Sequence, residues 1–276
     1  MERMNRKFTF YLEITTFCNM SCPFCPSFTN KINKNMDYES VVKAINKIKK
    51  HIGLLYFHVL GEPLLHPNFY NIIEYCENEN IPFAVTTNGT LLNNNKECLL
   101  NKQNISKINV SLQSLIQYSQ DKLDNYLKNL KEFLDYRKSI NSIIPINLRL
   151  WNDKNNPNIL LLNNYLEEFF KPYIESNKNI RFSEADEFEW PSSENETNNE
   201  LTNCLGGKKQ LAILHDGTVS LCCLDHQGKT KIGNIFEDEF EDILESDLYK
   251  KVIDGFNNRK PLFQLCKKCT FRNRFK

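Results

Sequence analysis

The sequence predicts an α/β fold, an open and partial (β/α)6 barrel that resembles part of a TIM barrel and is followed by a small C-terminal domain. Short β-rich runs alternate with amphipathic helical runs from Phe8 to about Ser183, which is typical of parallel strands covered by helices. Six such strands are too few for the closed eight-stranded barrel. A polar stretch then precedes a segment with a different residue pattern, which indicates a second domain.

The strands come first in each predicted unit. Six runs are candidates: Phe8–Ile14, Leu54–Leu60, Phe83–Thr87, Ile108–Leu112, Ile144–Leu150 and Ile180–Ser183. Asp37 followed by Glu39 predicts the start of the first helix, Gly53 its end, and Pro67 the first residue of the next helix. On such a scaffold we expect the functional side chains at the carboxyl ends of the strands.

Three segments are predicted from the change in composition. The barrel is assigned to residues 1–185, and a linker rich in Glu, Asn, Ser and Thr to residues 186–203. Residues 204–276 form the small domain, in which the Asp-Gly pair at 216–217 predicts a tight hairpin. A helical stretch, Phe240–Phe256, follows the hairpin.

The charge balance excludes several classes of protein. Lys and Arg total 35 and Asp and Glu total 34, so a protein that neutralises nucleic-acid phosphates is not indicated. No apolar run reaches the roughly 18 residues of a membrane span, and the charged N-terminus lacks a secretory signal. We therefore expect a cytoplasmic protein. Thiols stay reduced there, so its ten cysteines indicate metal or cluster binding.

The first cysteine group, Cys18, Cys22 and Cys25, directly follows the first predicted strand. Structural zinc takes four closed ligands, whereas three ligands without a fourth leave one coordination position open for chemistry. A 4Fe–4S cluster bound by three thiolates would likewise keep one iron free for a small molecule. The alternatives are a zinc site or a packed loop.

The spacing Cys18-x3-Cys22-x2-Cys25, with Phe24 before the last cysteine, resembles the signature of the radical S-adenosylmethionine (radical SAM) enzymes. The resemblance implies that these cysteines ligate a 4Fe–4S cluster whose open iron binds the methionine amino and carboxylate groups of S-adenosyl-L-methionine. It also implies reductive cleavage of that cofactor to a 5′-deoxyadenosyl radical, which takes a hydrogen atom from the substrate. Phe24 is expected beside the cofactor.

Further cofactor contacts follow from the resemblance. Gly61, Glu62 and Pro63 are similar to the Gly-Gly-Glu element of the family, with Leu60 in place of the first glycine. In the family, the backbone and the glutamate of this element receive the amino group of the cofactor. A carboxylate and carbonyl oxygens suit a charged amine.

Three more polar residues stand near the ends of the fourth and fifth strands. Ser111 and Gln113 fall where family members contact the ribose or the carboxylate, and Arg149 where several relatives bind the methionine carboxylate. The alternative for Ser111 and Gln113 is ordinary polarity at a strand end. For Arg149 it is a surface salt bridge, although an arginine inside an apolar strand favours an anion partner.

The second cysteine group consists of Cys204, the adjacent pair Cys222 and Cys223, and the motif Cys266-x2-Cys269. Four positions on separate elements are consistent with structural Zn(Cys)4 or with a second iron–sulfur cluster. Beside the radical SAM signature, this layout resembles the twitch domain, a shortened SPASM domain with one auxiliary cluster. Adjacent strand residues face opposite sides, so only one of the pair can join Cys204. The resemblance implies Cys222, which follows the position of the family's ligand, and Cys223 is the alternative.

The resemblance implies a radical SAM enzyme with two 4Fe–4S clusters that oxidises or cross-links a small metabolite or a peptide. In relatives such as the aminocyclitol dehydrogenase of the family, the auxiliary cluster accepts the second electron. The alternatives are a peptide maturase with a separate leader-binding partner, or a non-enzymatic zinc or iron–sulfur protein. About seven residues precede the first strand, which favours a small molecule. We expect a flavodoxin- or ferredoxin-type electron donor and no nucleic-acid or membrane partner.

Overall fold

The structure is a computed structural model and consists of two compact units. It describes residues 6–28, 33–153, 155–187, 189–192 and 203–275. The first unit comprises Met1–Gly61, Leu65–Pro82 and Phe188–Lys276, and the second comprises Glu62–Leu64 and Phe83–Glu187. Most of the predicted linker, residues 193–202, lies outside the described residues, so the predicted domain boundaries stay a prediction.

Strands and helices alternate along most of the chain. The strands are β1 (Phe8–Leu12), β2 (Ile52–Tyr56), β3 (Phe83–Thr87), β4 (Ile105–Ser111), β5 (Ile146–Trp151), β6 (Ile180–Ala185), β7 (Gln210–Ile213), β8 (Thr218–Ser220) and β9 (Gly233–Asn234). The α-helices are α1 (Tyr38–Ile48), α2 (Phe69–Asn78), α3 (Lys96–Leu100), α4 (Gln120–Ser139), α5 (Pro157–Ser176), α6 (Phe240–Glu245), α7 (Asp247–Asn257) and α8 (Gln264–Lys268).

In the first unit, β1 pairs on both of its edges. It runs parallel to β2 on one side and parallel to β7 on the other. β8 and β9 then extend the sheet antiparallel, and Gly217 takes a φ of 84° in the turn between β7 and β8. The hairpin predicted from the Asp-Gly pair is therefore present, and it continues the sheet that begins with β1.

The local signals around the first two helices were only partly correct. Asp37 caps α1 by accepting a hydrogen bond from the Ser40 backbone amide at 2.8 Å. Gly53 does not end this helix, because α1 ends at Ile48, a 3₁₀ turn follows and Gly53 lies in β2. Pro67 is not the first helical residue either, since α2 starts at Phe69 after Asn68.

Of the six predicted strands, only Phe83–Thr87 has the predicted bounds, and two predicted elements differ from the structure most. The second strand ends at Tyr56 rather than at Leu60, so that the chain from 57 to 62 is free to form a loop. The predicted helical stretch Phe240–Phe256 is two helices, because Ser246 leaves the helical conformation. Its side chain accepts from the Tyr249 amide at 3.1 Å and thereby caps α7.

The second unit contains four parallel strands in the order β3-β4-β5-β6. One face of the sheet is apolar, with Ile108 and Val110 on β4 and Leu148 on β5 fully buried. An apolar repeat on α4 supplies part of the core, where Leu123, Leu127, Leu130 and Leu134 are buried. No helix among the described residues is long and apolar enough to cross a membrane.

A buried carboxylate joins two parts of the first unit that are far apart in sequence. Glu13 is 1% exposed, and its Oε1 accepts from the Leu60 amide at 3.1 Å. Its Oε2 lies 3.0 Å from Nδ1 of His215, in the β7–β8 hairpin. The hydrogen bond to Glu13 raises the pKa of His215, and burial opposes this rise. The pair therefore connects the end of β1 with the hairpin.

We expect the Glu13–His215 pair to stabilise the fold most at acidic to neutral pH. A histidine with a raised pKa contributes its full stabilisation below the unfolded-state value of about 6.5, and loses it as the pH rises through the folded-state value. A double-mutant cycle with Glu13→Gln and His215→Gln should give a coupling of about 1–3 kcal/mol near pH 6 and less near pH 9, measured by thermal unfolding. A coupling that is the same at both pH values would contradict this assignment.

Candidate active site

The first cysteine group lies in a loop that begins at the end of β1. The loop is held at its base, where the Thr16 amide donates to the Lys34 carbonyl and the Met36 amide donates to the Ile14 carbonyl, both at 2.9 Å. Cys18, Cys22 and Cys25 are all half-buried. Phe24, between the last two, is also half-buried.

Two hydrogen-bonded turns shape the cysteine-bearing part of the loop. The Cys25 amide donates to the Cys22 carbonyl at 3.0 Å, and the Phe28 amide donates to the Cys25 carbonyl at 2.9 Å. The Cys25 thiol lies 3.0 Å from the Ser27 hydroxyl. The loop thus carries three partly accessible sulfur atoms within two tight turns, and this donor set fits a cluster with an open position.

Gly61 packs against the backbone of the same loop. Its φ is 76°, in the left-handed region that favours glycine. A Cβ atom at this position would collide with the Thr15 carbonyl oxygen and would lie 3.0 Å from the Phe17 carbonyl oxygen. Only glycine therefore fits this position without strain.

Glu62 is the first residue of the second unit and is almost completely buried. Its carboxylate accepts from the backbone amides of Asn88 at 2.7 Å and Leu64 at 3.2 Å, and from the side chain of Thr87. Burial raises the pKa of Glu62 to about 7, although these hydrogen bonds act in the opposite direction. A cationic partner would favour the ionised form. Pro63 follows, buried, in a 3₁₀ turn.

The Thr87-Asn88-Gly89 segment, whose composition is typical of a turn, supports Glu62. Besides the Asn88 amide on the carboxylate, the Asn88 carbonyl accepts from the Tyr126 hydroxyl of α4 at 2.9 Å. Gly89 has a φ of 85°, and a Cβ atom there would collide with the Tyr126 hydroxyl. This turn therefore fixes the amide that binds Glu62, a role that depends on contacts distant in sequence.

The structure brings Ser111 and Arg149 together, because they are register partners on β4 and β5. Both side chains are half-buried. Gln113 follows in the 3₁₀ turn after β4, and its buried Oε1 has no hydrogen-bond partner among the residues that the structure describes. An unsatisfied buried acceptor costs free energy unless a ligand donates to it, so Gln113 is suited to contact a bound molecule.

A row of polar side chains crosses the second unit, two residues before Ser111 on β4 and two residues before Arg149 on β5. Asn109 donates to the Thr86 hydroxyl at 3.0 Å, and Asn147 donates to the Asn109 side-chain oxygen at 2.9 Å. Arg181 completes the row by donating to the Asn147 side-chain oxygen at 2.9 Å. Side chains two residues apart on a strand share a face, so this row lies on the face of Ser111 and Arg149. No short-range pattern predicts this row, because each of its members lies on a different strand.

The second cysteine group converges within the first unit. Cys204, Cys222, Cys266 and Cys269 line one pocket together with mainly apolar residues, among them Leu221, Phe256 and Leu265. Cys223 instead packs against Val59, Ala212 and Leu214. The prediction that this pair ends the second strand of the hairpin was wrong, because β8 ends at Ser220 and both cysteines lie in the turn after it. The turn, and not strand alternation, gives the two side chains different surroundings.

The four sulfur atoms lie in an environment that disfavours isolated thiolates. Burial raises the pKa of Cys204, Cys222, Cys266 and Cys269. At Cys222, Cys266 and Cys269, repulsion between neighbouring sulfur atoms adds to this rise. Backbone amides partly compensate, such as that of Gly206, which donates to the Cys204 sulfur at 3.3 Å. Such a site needs positive charge to hold thiolates, and a bound metal centre supplies it.

Two further observations concern the cysteines. Within the described residues, no group of three or more histidine, cysteine or carboxylate side chains is arranged to hold one metal ion. Cys76 lies outside both cysteine groups. It is a core residue of α2, and burial raises its pKa to about 12.

Two family models match the chain. The model of the radical SAM superfamily matches residues 12–155, and the SPASM model, an iron–sulfur cluster-binding domain, matches residues 204–270. Among curated proteins, a tungsten-containing aldehyde ferredoxin oxidoreductase cofactor-modifying protein of Pyrococcus furiosus is 33% identical over 85 residues, 30% of this chain and 24% of that protein. A probable GTP 3′,8-cyclase of Methanococcus maripaludis is 29% identical over 133 residues, 46% of this chain and 44% of that protein. The chain spans less than half the length of these relatives.

Solved structures resemble the whole chain at low identity. The crystal structure of BtrN in complex with AdoMet and 2-DOIA has a TM-score of 0.57 at 16% identity and covers 97% of this chain and 94% of BtrN. SuiB of Streptococcus suis bound to the precursor peptide SuiA has a TM-score of 0.62 at 17% identity, with 96% and 71% covered. Native anSMEcpe with bound AdoMet and Cp18Cys peptide has a TM-score of 0.59 at 15% identity, with 96% and 86% covered. This likeness confirms the predicted fold class, a partial (β/α)6 barrel with a small C-terminal cluster domain.

Replacing Gly61 tests how the cysteine loop is held. Gly61→Ala should lower the free energy of unfolding by more than about 1 kcal/mol, because alanine is strained at this φ and its methyl group meets the two carbonyl oxygens. It should also lower the iron bound after anaerobic reconstitution, since the loop must move. Gly53→Ala is the control, as Gly53 does not have a positive φ. Equal stability and equal iron content in Gly61→Ala and the parent protein would refute the close packing.

Proposed function

Because the chain belongs to the radical SAM superfamily, we propose that it is an oxidoreductase that removes hydrogen from an unactivated C–H position of a small polar substrate. The SPASM match implies an auxiliary iron–sulfur centre beside the 4Fe–4S cluster and S-adenosyl-L-methionine that the superfamily uses. The observation that carries the proposal is the pocket formed by Cys204, Cys222, Cys266 and Cys269. Four protein ligands leave no vacancy for substrate, so this site suits electron transfer.

Cys18, Cys22 and Cys25 are the proposed ligands of the cofactor-binding cluster. Their number leaves one position open, and their partial exposure gives a small molecule access. When bound, the cluster and S-adenosyl-L-methionine supply a 5′-deoxyadenosyl radical, and an auxiliary cluster supplies an acceptor for one electron. With these groups bound, the substrate would lose one hydrogen atom to the radical and then one electron to the auxiliary cluster and one proton to water or a base.

We assign the two ends of the methionine moiety to opposite charges. Glu62 receives the ammonium group, and Gly61 and Pro63 contribute the adjoining backbone. Arg149 binds the carboxylate, and Ser111, its register partner, contacts the carboxylate or the ribose. The buried oxygen of Gln113 accepts a hydrogen bond from the cofactor, which would satisfy it. Phe24 packs against the cofactor beside the cysteines.

The polar row on the second unit supports a small polar substrate. Thr86, Asn109, Asn147 and Arg181 offer amide, hydroxyl and cationic groups on the face that holds Ser111 and Arg149. Such groups suit a hydroxylated or amino-substituted metabolite better than an apolar one. BtrN, whose complex contains 2-DOIA, is similar over nearly its full length. We expect a flavodoxin- or ferredoxin-type protein to supply electrons in the cytoplasm.

The second candidate is a peptide maturase that uses a separate leader-binding partner. It is favoured by the likeness to SuiB bound to a precursor peptide, and β6 has no strand paired to its second edge among the described residues. An extended peptide can add to such an edge. Oxidation products separate the two candidates. Loss of two hydrogen atoms from 2-DOIA or a related aminocyclitol supports the first candidate, and formation of a cross-linked peptide supports the second.

The two cysteine groups should contribute separately to iron binding and to cofactor cleavage. After anaerobic reconstitution, the parent protein should bind about eight irons, and each group's removal should halve this number. Cys18→Ala, Cys22→Ala, Cys25→Ala should abolish formation of 5′-deoxyadenosine with dithionite. Cys266→Ala, Cys269→Ala should retain it, because hydrogen abstraction needs only the first cluster.

Two controls accompany this experiment: the fold of each variant and the identity of the bound metal. Circular dichroism checks that each variant is folded, since thiolate ligation also contributes folding free energy. Cys76→Ala serves as a matched variant, because Cys76 is a buried cysteine outside both groups. Stoichiometric zinc without iron in the parent protein would refute the proposal, and so would 5′-deoxyadenosine from the triple variant.

Binding of the cofactor should strengthen as the pH rises through about 7. The pKa of Glu62 is raised to about 7 by burial, so the carboxyl is mostly neutral at pH 5.5 and mostly ionised at pH 7.5. An ammonium group binds the ionised form, so the Kd of S-adenosyl-L-methionine should fall on the order of tenfold over this range. Calorimetry on the reconstituted protein measures this change. Glu62→Gln should bind weakly and without this pH dependence, and an equally steep dependence in that variant would assign the effect to another group.

A further inference from the structure

Arg272 is a buried charged residue beside the second cysteine group. It lies in the 3₁₀ turn Phe271–Arg274, three residues after Cys269, and is only 4% exposed. It lines the same pocket as the four cysteines, and its backbone amide donates to the Cys269 sulfur. The SPASM match ends at residue 270, so Arg272 is outside the part of the chain that the family accounts for.

The pocket contains little else that is charged. Among the described residues that line it, Arg272 is the one with a charged side chain, and most of the others are apolar. A guanidinium group stays protonated at every physiological pH. Because Arg272 is buried and lines the pocket together with the four cysteines, its charge acts on the sulfur atoms with little screening by water.

A carboxylate of opposite charge to Arg272, that of Asp225, is bound by the backbone of its own turn. Asp225 is 1% exposed, and its carboxylate accepts from the amides of Lys229 at 2.9 Å and Thr230 at 2.6 Å and from the Thr230 hydroxyl. Asp225 does not line the pocket.

We propose that Arg272 raises the reduction potential of the auxiliary cluster and so adapts it to accept an electron. The inference rests on the proposed function only for the presence of an iron–sulfur cluster at this site. Reduction adds one negative charge to the cluster, and a buried cation stabilises that charge more strongly than an exposed one, because little water screens it. Arg272 acts through its charge and is not a ligand.

Arg274 is a matched control in the same turn. It carries the same charge two residues further along, but it is exposed and its guanidinium lies 4.4 Å from the centre of the Phe271 ring. Water screens the charge of an exposed side chain, so Arg274 should have little effect on the cluster.

The test is a redox titration followed by electron paramagnetic resonance on the full chain. All variants also carry Cys18→Ala, Cys22→Ala and Cys25→Ala, so that the signal comes from the auxiliary cluster alone. Arg272→Gln should lower the equilibrium constant for one-electron reduction about ten- to a hundredfold, a shift of about 60 to 120 mV to lower potential. Arg272→Lys should stay near the parent potential because it keeps the charge, and Arg274→Gln should not change it.

Each outcome decides the inference. Equal potentials in Arg272→Gln and the background protein, with iron content retained, would overturn it. If Arg272→Gln loses the cluster, Arg272→Lys still decides, since its potential must lie close to that of the background if charge is what matters. The protein could show the shifted potential in Arg272→Gln and yet oxidise no substrate. That result would support the inference about Arg272 and refute the oxidoreductase assignment. A protein with zinc at this site would refute both.

Discussion

The pairing of β1 on both of its edges is the constraint on which the first unit depends. A strand that is hydrogen-bonded to β2 on one side and β7 on the other has fixed backbone groups along its length. The cysteine loop begins where β1 ends, and the hairpin after β7 leads to Cys222 and Cys223. The same strand therefore positions both cysteine groups, although about two hundred residues separate them in sequence.

The two cysteine groups differ in their setting, and the difference fits two chemical tasks. The first group occupies a loop with tight turns, and its three sulfur atoms leave a ligand position for an exchangeable molecule. The second group is gathered from three elements around an apolar pocket, where burial works against each thiolate. A centre that only exchanges electrons needs no opening to solvent. It benefits from a surrounding of low dielectric, in which single charges have strong effects.

Short-range patterns in the sequence were sufficient for much of this architecture. The cysteine spacing, the Asp37 cap and the Asp-Gly hairpin depend on residues close in the chain, and the structure contains each feature. Gly53 and Pro67 misled because a glycine or proline near a helix end is also common in the adjoining strand or turn. The contacts of Glu13 with His215 could not be foreseen, because they join residues 202 positions apart.

The polar row from Thr86 to Arg181 was missed for a related reason. Each asparagine satisfies its neighbour on the next strand, so the pattern exists only once the strand register is known. Arg272 was missed because nothing in its local sequence distinguishes it from the exposed Arg274. Burial alone separates the two, and burial is a property of the folded chain.

The order of synthesis gives the scattered second cysteine group a particular consequence. Cys204 and Cys222 are synthesised before Cys266 and Cys269, so a nascent chain has an incomplete ligand set until residue 269 has been added. Under the proposed assignment, the completed centre cross-links three distant segments much as a set of disulfides would. In a cell short of iron, chains would lack this cross-link, and proteases that cleave loosened chains would remove them first.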